Sequence, residues 1–111
     1  MIIFLLKMTP LPSKRWELLN ILRSVTGPTL IQPGCLACEI YESSEDDQAV
    51  LYLEKWDSSA DIHKHIKTAL YARLLTAIEL SAIQPDIHFY ETEQISGIEL
   101  IESLRIIQQD A

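Results

Sequence analysis

Five side chains suited to acid–base chemistry on an aromatic molecule are gathered in one stretch of this chain: Tyr52, Glu54, Trp56, His65 and Tyr71. Strand alternation puts Val50, Tyr52, Glu54 and Trp56 on one face, with Leu51, Leu53 and Lys55 on the other. Ser58, with Asp61 three residues on, has N-cap spacing, so a helix is expected to start just after the tryptophan. His65 follows Trp56 by nine residues. A flat ring, a carboxylate and an imidazole can therefore meet where strand gives way to helix. Each residue also has a plainer reading. Trp56 would be a core or rim tryptophan, Glu54 a solvated edge carboxylate, and His65 a half-buried hydrogen-bonded side chain rather than a general base. Two or three of the four tyrosines, Tyr41, Tyr52, Tyr71 and Tyr90, are expected to be structural.

Other chemistries find less support. His63 and His65 are two apart on a helix and cannot chelate one metal, which needs a spacing of four, and His88 is remote on a strand. Cys35 and Cys38 spell C-x-x-C, but Glu39-Ile40-Tyr41-Glu42 alternates like a strand. Cysteines three apart on a regular strand point to opposite faces, with Cα atoms about 10 Å apart, beyond disulfide reach. With two cysteines in all, a zinc site lacks its second pair of ligands. No metal site is expected, and the cysteines read as incidental. There is no glycine-rich phosphate loop and no Ser-His-Asp arrangement.

The formal charge of −7, from 16 acidic and 9 scattered basic residues, argues against a nucleic-acid partner. The single-strand-binding form of the fold derived below stacks bases on aromatics of its central strands. Taken as Ile2–Met8 and Ile87–Ile95, those strands offer Phe4 and Phe89, but Glu91 and Glu93 stand where phosphates would run. The apolar run Met1–Leu6 is too short to cross a membrane, is closed by Lys7 and lacks a signal-peptide pattern. A cytoplasmic protein with reduced cysteines and no membrane partner is the expectation.

The elements that position these residues follow from periodicity. At 111 residues, 48% of them hydrophobic, the chain makes one domain. Ile2–Met8 is a strand, broken by Thr9-Pro10-Leu11-Pro12. Leu11, Leu18, Ile21, Leu22 and Val25 share a helical arc opposite Trp16, Asn20 and Arg23, and Gly27-Pro28 is expected to disrupt that helix. After a turn at Gln32-Pro33-Gly34 come strands Cys35–Tyr41 and Ala49–Trp56, joined by the acidic hairpin Ser43–Asp47. The stripe Ile62, Ile66, Ala69, with His65 about 60° from its centre, is out of phase with Leu70, Leu74, Ala77. Two helices with a break near Thr68 explain the slip. Pro85 ends the helical region, Ile87–Ile95 is a last strand, and Ser96-Gly97-Ile98-Glu99 opens a short helix with Ile98, Ile101 and Leu104.

The order is α+β, a ferredoxin-like split βαββαβ with a four-stranded antiparallel sheet and an extra C-terminal helix. The sheet face away from the helices must also be covered, and a second copy of the chain is the simplest cover.

Several short motifs, in this order, make the chain similar to the antibiotic biosynthesis monooxygenase (ABM) family, including its quinol-monooxygenase-like members. They are Pro33-Gly34-Cys35-Leu36, Leu53-Glu54-Lys55-Trp56, His65 nine positions after Trp56, Tyr71, and Pro85 before the last strand. The resemblance spans about residues 1–95, with 96–111 a helical extension of the same domain. It implies a homodimeric α+β barrel with a pocket between sheet and helices in each subunit. It also implies oxygenation of a small aromatic substrate such as a quinol without metal, flavin or haem as prosthetic group. On that resemblance Trp56 would wall the pocket, His65 would be base or hydrogen-bond partner, and Glu54 or Tyr52 would assist, with Tyr52 and Tyr71 near the substrate. Haem degradation is not expected, because Ile2–Met8 lacks the asparagine of the haem-degrading branch. The alternative is a non-catalytic dimeric module of the same fold that binds a small molecule.

Overall fold

A computed structural model describes residues 1–46 and 48–109, with the backbone alone for 106–109. The elements are β1 (Ile2–Met8), α1 (Arg15–Leu30), β2 (Cys35–Glu42), β3 (Val50–Trp56), α2 (Ser59–Ile66), α3 (Ala69–Glu79), β4 (Asp86–Glu91) and α4 (Ile98–Gln109), with a short 3₁₀ turn at Pro12–Lys14. The strands form one antiparallel sheet in the order β2-β3-β1-β4. This is the ferredoxin-like arrangement expected from the element order. Of the acidic hairpin, Asp47 lies outside the described residues, as do 110–111 of the extension.

One face of the sheet carries the core. Phe4, Leu6 and Met8 of β1 and Val50, Tyr52 and Trp56 of β3 are fully buried against Leu18, Leu22 and Val25 of α1, Ile62 of α2 and Leu74 of α3. The opposite face shows Ile3, Leu5, Leu51, Leu53 and Lys55, all half-buried, with Tyr90 exposed at its edge. At α4, Ile98, Ile101 and Leu104 are 65%, 59% and 67% exposed, so its apolar stripe faces solvent.

Several expectations need correction. The central strands are β1 and β3, while β4 lies at the edge. The argument against nucleic acid therefore rests on other residues: Phe4 is buried beneath the helices, and β1 and β3 present no aromatic on the open face, where Ile3, Leu5, Leu51 and Leu53 stand beside Lys7 and Lys55. β4 stops at Glu91 because its sole ladder partner, β1, begins at Ile2, and Thr92 caps the pairing with bonds to Met1. Gly27-Pro28 does not break α1. A proline so close to the C-terminus removes one intrahelical bond, and the helix runs two residues further. Leu11 precedes α1 and is exposed, not part of its buried arc.

Two further corrections bear on the site. On α2 the buried residues are Ile62 and His65, while Ile66 and Ala69 are exposed, so His65 sits at the centre of the buried stripe and not at its edge. The cysteines share a face. A bulge at Leu36 shifts the register, setting Cys35 opposite Trp56 and Cys38 opposite Glu54, both on the helix side. The helix break is where the phase slip put it, with Thr68 as N-cap of α3, accepting from the Tyr71 amide.

The turn before β2 is built on Gly34. Its φ of 84° lies in the left-handed region, and a Cβ there would collide with the Asp61 carboxylate. Its carbonyl accepts the Asp57 amide at 2.8 Å, tying the turn to the end of β3. Gly34→Ala is expected to destabilise the protein by about 1–3 kcal/mol through backbone strain alone, with the clash in addition. Urea unfolding measures it, and a midpoint equal to wild type would contradict this description of the turn.

Candidate functional site

All five residues singled out by the sequence come together on the helix side of the sheet. Tyr52, Glu54 and Trp56 project from alternate positions of β3, His65 descends from α2, and Tyr71 from the first turn of α3. Glu54 is fully buried, which a carboxylate tolerates only with good partners. It has three. The Tyr52 hydroxyl donates to Oε2 at 2.6 Å, the Trp56 indole N–H donates to Oε1 at 2.9 Å, and His65 Nε2 lies 3.2 Å from Oε2. The solvated-edge reading of Glu54 is thereby excluded.

Packing fixes the imidazole. Trp56 lies against it, ring centroids 4.7 Å apart and planes 32° from parallel, and Tyr71 meets it edge-on at 5.3 Å. His65 Nδ1 points the other way, to Gln32 Oε1 at 2.7 Å. On the far side of Glu54, the Cys38 thiol donates to the Tyr52 oxygen at 3.1 Å. A continuous polar chain thus crosses the apolar core from Cys38 through Tyr52, Glu54 and His65 to Gln32. Sequence reasoning missed its two ends. Gln32 read only as a turn residue, and Cys38 reached the chain through a bulge that no local pattern announces.

Burial and the Glu54 charge act together on the acids nearby. Burial first, then the carboxylate, pushes the Tyr71 hydroxyl up to about 12 from 10.0. Burial pushes the Cys38 thiol up to about 12, and the same two causes raise Tyr52 strongly. Cys35 is raised by burial and by Glu54. These four groups stay protonated through neutral pH.

Two clefts flank α2. One, of about 330 Å³, is mainly apolar, bounded by Ile2, Ile62, Ile66 and Phe89 with His63 and Glu91 among its lining residues. The other, of about 260 Å³, is bounded by Gln32, Pro33, Asp61, Lys64, His65 and Thr68. His65 alone of the five candidates lines either cleft; Trp56, Glu54, Tyr52 and Tyr71 pack behind it. Among the described residues no group of three His, Cys, Asp or Glu side chains is placed to hold a metal ion. His63 is exposed on the opposite side of α2, and His88 stacks on Tyr90 on the open sheet face. No described helix is long and apolar enough to cross a membrane.

Comparisons with known proteins agree with this architecture. Residues 1–76 match the family profile described as antibiotic biosynthesis monooxygenase. The uncharacterized Synechocystis protein sll1783 is 27% identical over 60 residues, which cover 54% of this chain and 41% of that protein. A Deinococcus radiodurans protein, provisionally classed as an antibiotic biosynthesis monooxygenase, superposes with a TM-score of 0.79 at 20% identity, over 88% of this chain and 98% of that one. Rv0793 of Mycobacterium tuberculosis gives 0.78 at 18% identity, over 86% and 98%. A conserved protein of Methanosarcina mazei gives 0.77 at 22% identity, over 83% and 92%. At these identities the likeness shows the fold alone.

The raised acids make a prediction about alkaline stability. The unfolded chain loses the Tyr71 proton near 10.0 and the folded chain near 12, so stability falls as pH rises between those values and is unaffected well below them. Tyr71→Phe should flatten this fall without abolishing it, since Tyr52 and Cys38 act in the same direction. Urea midpoints compared near neutrality and near the upper end of that range test it. An equal alkaline loss in wild type and variant would contradict the assigned environment.

Proposed function

The chain belongs to the antibiotic biosynthesis monooxygenase family, and we propose that it is a cofactor-independent monooxygenase acting on a quinol or similar electron-rich aromatic. The observation that carries this reading is the Glu54–His65 pair, a buried carboxylate and an imidazole 3.2 Å apart, with the other imidazole nitrogen bonded to Gln32 and both His65 and Gln32 bordering a cleft. In a dry site such a pair accepts a proton well, because the carboxylate stabilises the imidazolium that forms.

The cleft beside His65 receives the aromatic ring. Its hydroxyl replaces the Gln32 amide at Nδ1 and gives up its proton there. The electron-rich anion then passes electrons to dioxygen directly, so the protein need only desolvate, orient and deprotonate. One oxygen atom enters the ring and the other leaves as water. Oxidation of the hydroquinone to a hydroxyquinone supplies the four electrons that dioxygen takes up, which balances the reaction. Trp56 holds the imidazole plane, Tyr52 holds Glu54, and Tyr71 closes the edge of the histidine. The working form is a homodimer, with a second copy covering Ile3, Leu5, Leu51 and Leu53 on the open sheet face. A cytoplasmic setting suits its two free cysteines.

One observation favours the alternative of a non-catalytic small-molecule-binding module. Glu54, Trp56 and Tyr52 touch neither cleft, an arrangement that also serves a purely structural network.

Oxygen uptake by metal-stripped protein over a hydroquinone panel, against protein-free autoxidation, separates the two. Uptake above the blank is expected, falling about 10²–10⁴-fold in His65→Ala, as for loss of a general base. No uptake by wild type would leave the binding module, and an undiminished His65→Ala rate would remove His65 as the base.

A further inference from the structure

The cleft beside His65 holds one side chain whose hydrogen-bonding capacity is unspent, and it is a cation. Asp61, Lys64 and His65 fall within an arc of about 100° on α2 and border the cleft together, with Thr68 just past the helix end and Gln32-Pro33 from the turn. The polar groups around Lys64 are occupied. Gln32 and His65 are bonded to each other at 2.7 Å, and the second imidazole nitrogen meets Glu54. Asp61 accepts the Ser58 hydroxyl at 2.8 Å, and its carboxylate packs against Gly34. Thr68 Oγ1 donates to the His65 carbonyl at 2.6 Å and accepts from the Tyr71 amide. Pro33 has no N–H to offer.

Lys64 is the exception. It is exposed, and among the described residues its ammonium joins none of the ion pairs, which link Lys14 to Glu17, Arg15 to Glu42 and His65 to Glu54. Three donors on a flexible four-carbon stem therefore stand unpaired beside the cleft. The bland role for this lysine is to complement the dipole at the end of α2, since it lies in the last turn. That role acts on stability and is indifferent to what enters the cleft.

Size and charge together narrow the ligand. At about 260 Å³ the cleft is smaller than the roughly 300–1,000 Å³ typical of drug-sized ligands, so it suits a single ring with a short substituent. A ring whose hydroxyl meets His65 brings a neighbouring substituent within reach of the adjacent residue, Lys64. The chain has a formal charge of −7, so an anion is repelled by the molecule as a whole and enters only where a local cation offsets that field. Lys64 and Lys67, both exposed, make this end of α2 locally basic.

We propose that Lys64 is a specificity-determining residue, and that the preferred substrate is a single-ring quinol bearing a carboxylate. The ring hydroxyl is held at His65 and the carboxylate at the Lys64 ammonium, which fixes the ring at two points. The inference rests on this cleft being the substrate site of the proposed reaction, but its test reads binding and needs no turnover.

The test is an anaerobic titration of the full-length protein with 2,5-dihydroxyphenylacetate and with its uncharged amide, 2,5-dihydroxyphenylacetamide. The backbone amide signals of Lys64, His65 and Thr68 in ¹H–¹⁵N spectra report binding at the cleft. Wild type should bind the carboxylate about fivefold more tightly than the amide, the upper range for an exposed ion pair. The preference should shrink as salt is raised. Lys64→Arg should keep it, Lys64→Met should bring the two affinities together, and Lys64→Glu should reverse their order. Equal affinities in wild type, a preference that survives in Lys64→Met, or no binding of either compound at these residues would overturn the proposal. Oxygen uptake with the same two compounds separates it from the reaction. Selective binding without uptake retains the lysine's role and removes the monooxygenase reading, whereas uptake with equal affinities removes the lysine's role and retains the reaction.

Discussion

A carboxylate without water needs its hydrogen bonds supplied by protein, and the centre of this molecule is organised around meeting that need for Glu54. The donors come from separate places: Tyr52 and Trp56 on either side along β3, and His65 from the helix above. No two of these elements could shift independently without leaving the charge unpaired, a loss of about 3–5 kcal/mol for a buried ion. The carboxylate thus fixes where α2 sits on the sheet as well as how the imidazole is turned. Its field reaches further, adding to burial in keeping Tyr52, Tyr71 and Cys38 protonated.

The surrounding fold serves the same group from both ends. The bulge at Leu36 brings Cys38 opposite Glu54, so the thiol can donate to the Tyr52 hydroxyl. The left-handed turn at Gly34 packs against Asp61 of α2 and carries Gln32 to the outer nitrogen of His65. A buried, hydrogen-bonded carboxylate is weak support for stability, since an apolar replacement of equal shape is often as good. Retaining one in a core this small points to use, and the use proposed here is proton transfer at the cleft.

Much of this was legible in the sequence because it depends on period. Alternation along β3 put Tyr52, Glu54 and Trp56 on one face, and the phase slip near Thr68 announced the break between α2 and α3. What escaped was set by tertiary contact. Helical geometry on the apolar residues Ile62, Ile66 and Ala69 puts His65 at the edge of their stripe, whereas Glu54 and Gln32 meet both its nitrogens and let it take the buried position in place of Ile66. The cysteine faces were misassigned because a bulge depends on the neighbouring strand and leaves no mark in local alternation. Gln32 carried no spacing signal at all. Its importance comes from a turn meeting a helix thirty-three positions away.

The account stands on Glu54 being the acceptor that holds the cluster together, and the Trp56 indole reports on that directly. Trp16, 72% exposed, is the only other tryptophan and serves as an internal reference. The decisive measurement is the ¹H–¹⁵N indole spectrum of wild type beside Glu54→Leu, with hydrogen exchange followed in both. The account predicts a downfield, slowly exchanging Trp56 N–H in wild type that moves upfield in the variant while Trp16 stays in place. An unchanged Trp56 resonance in a folded Glu54→Leu protein would contradict it.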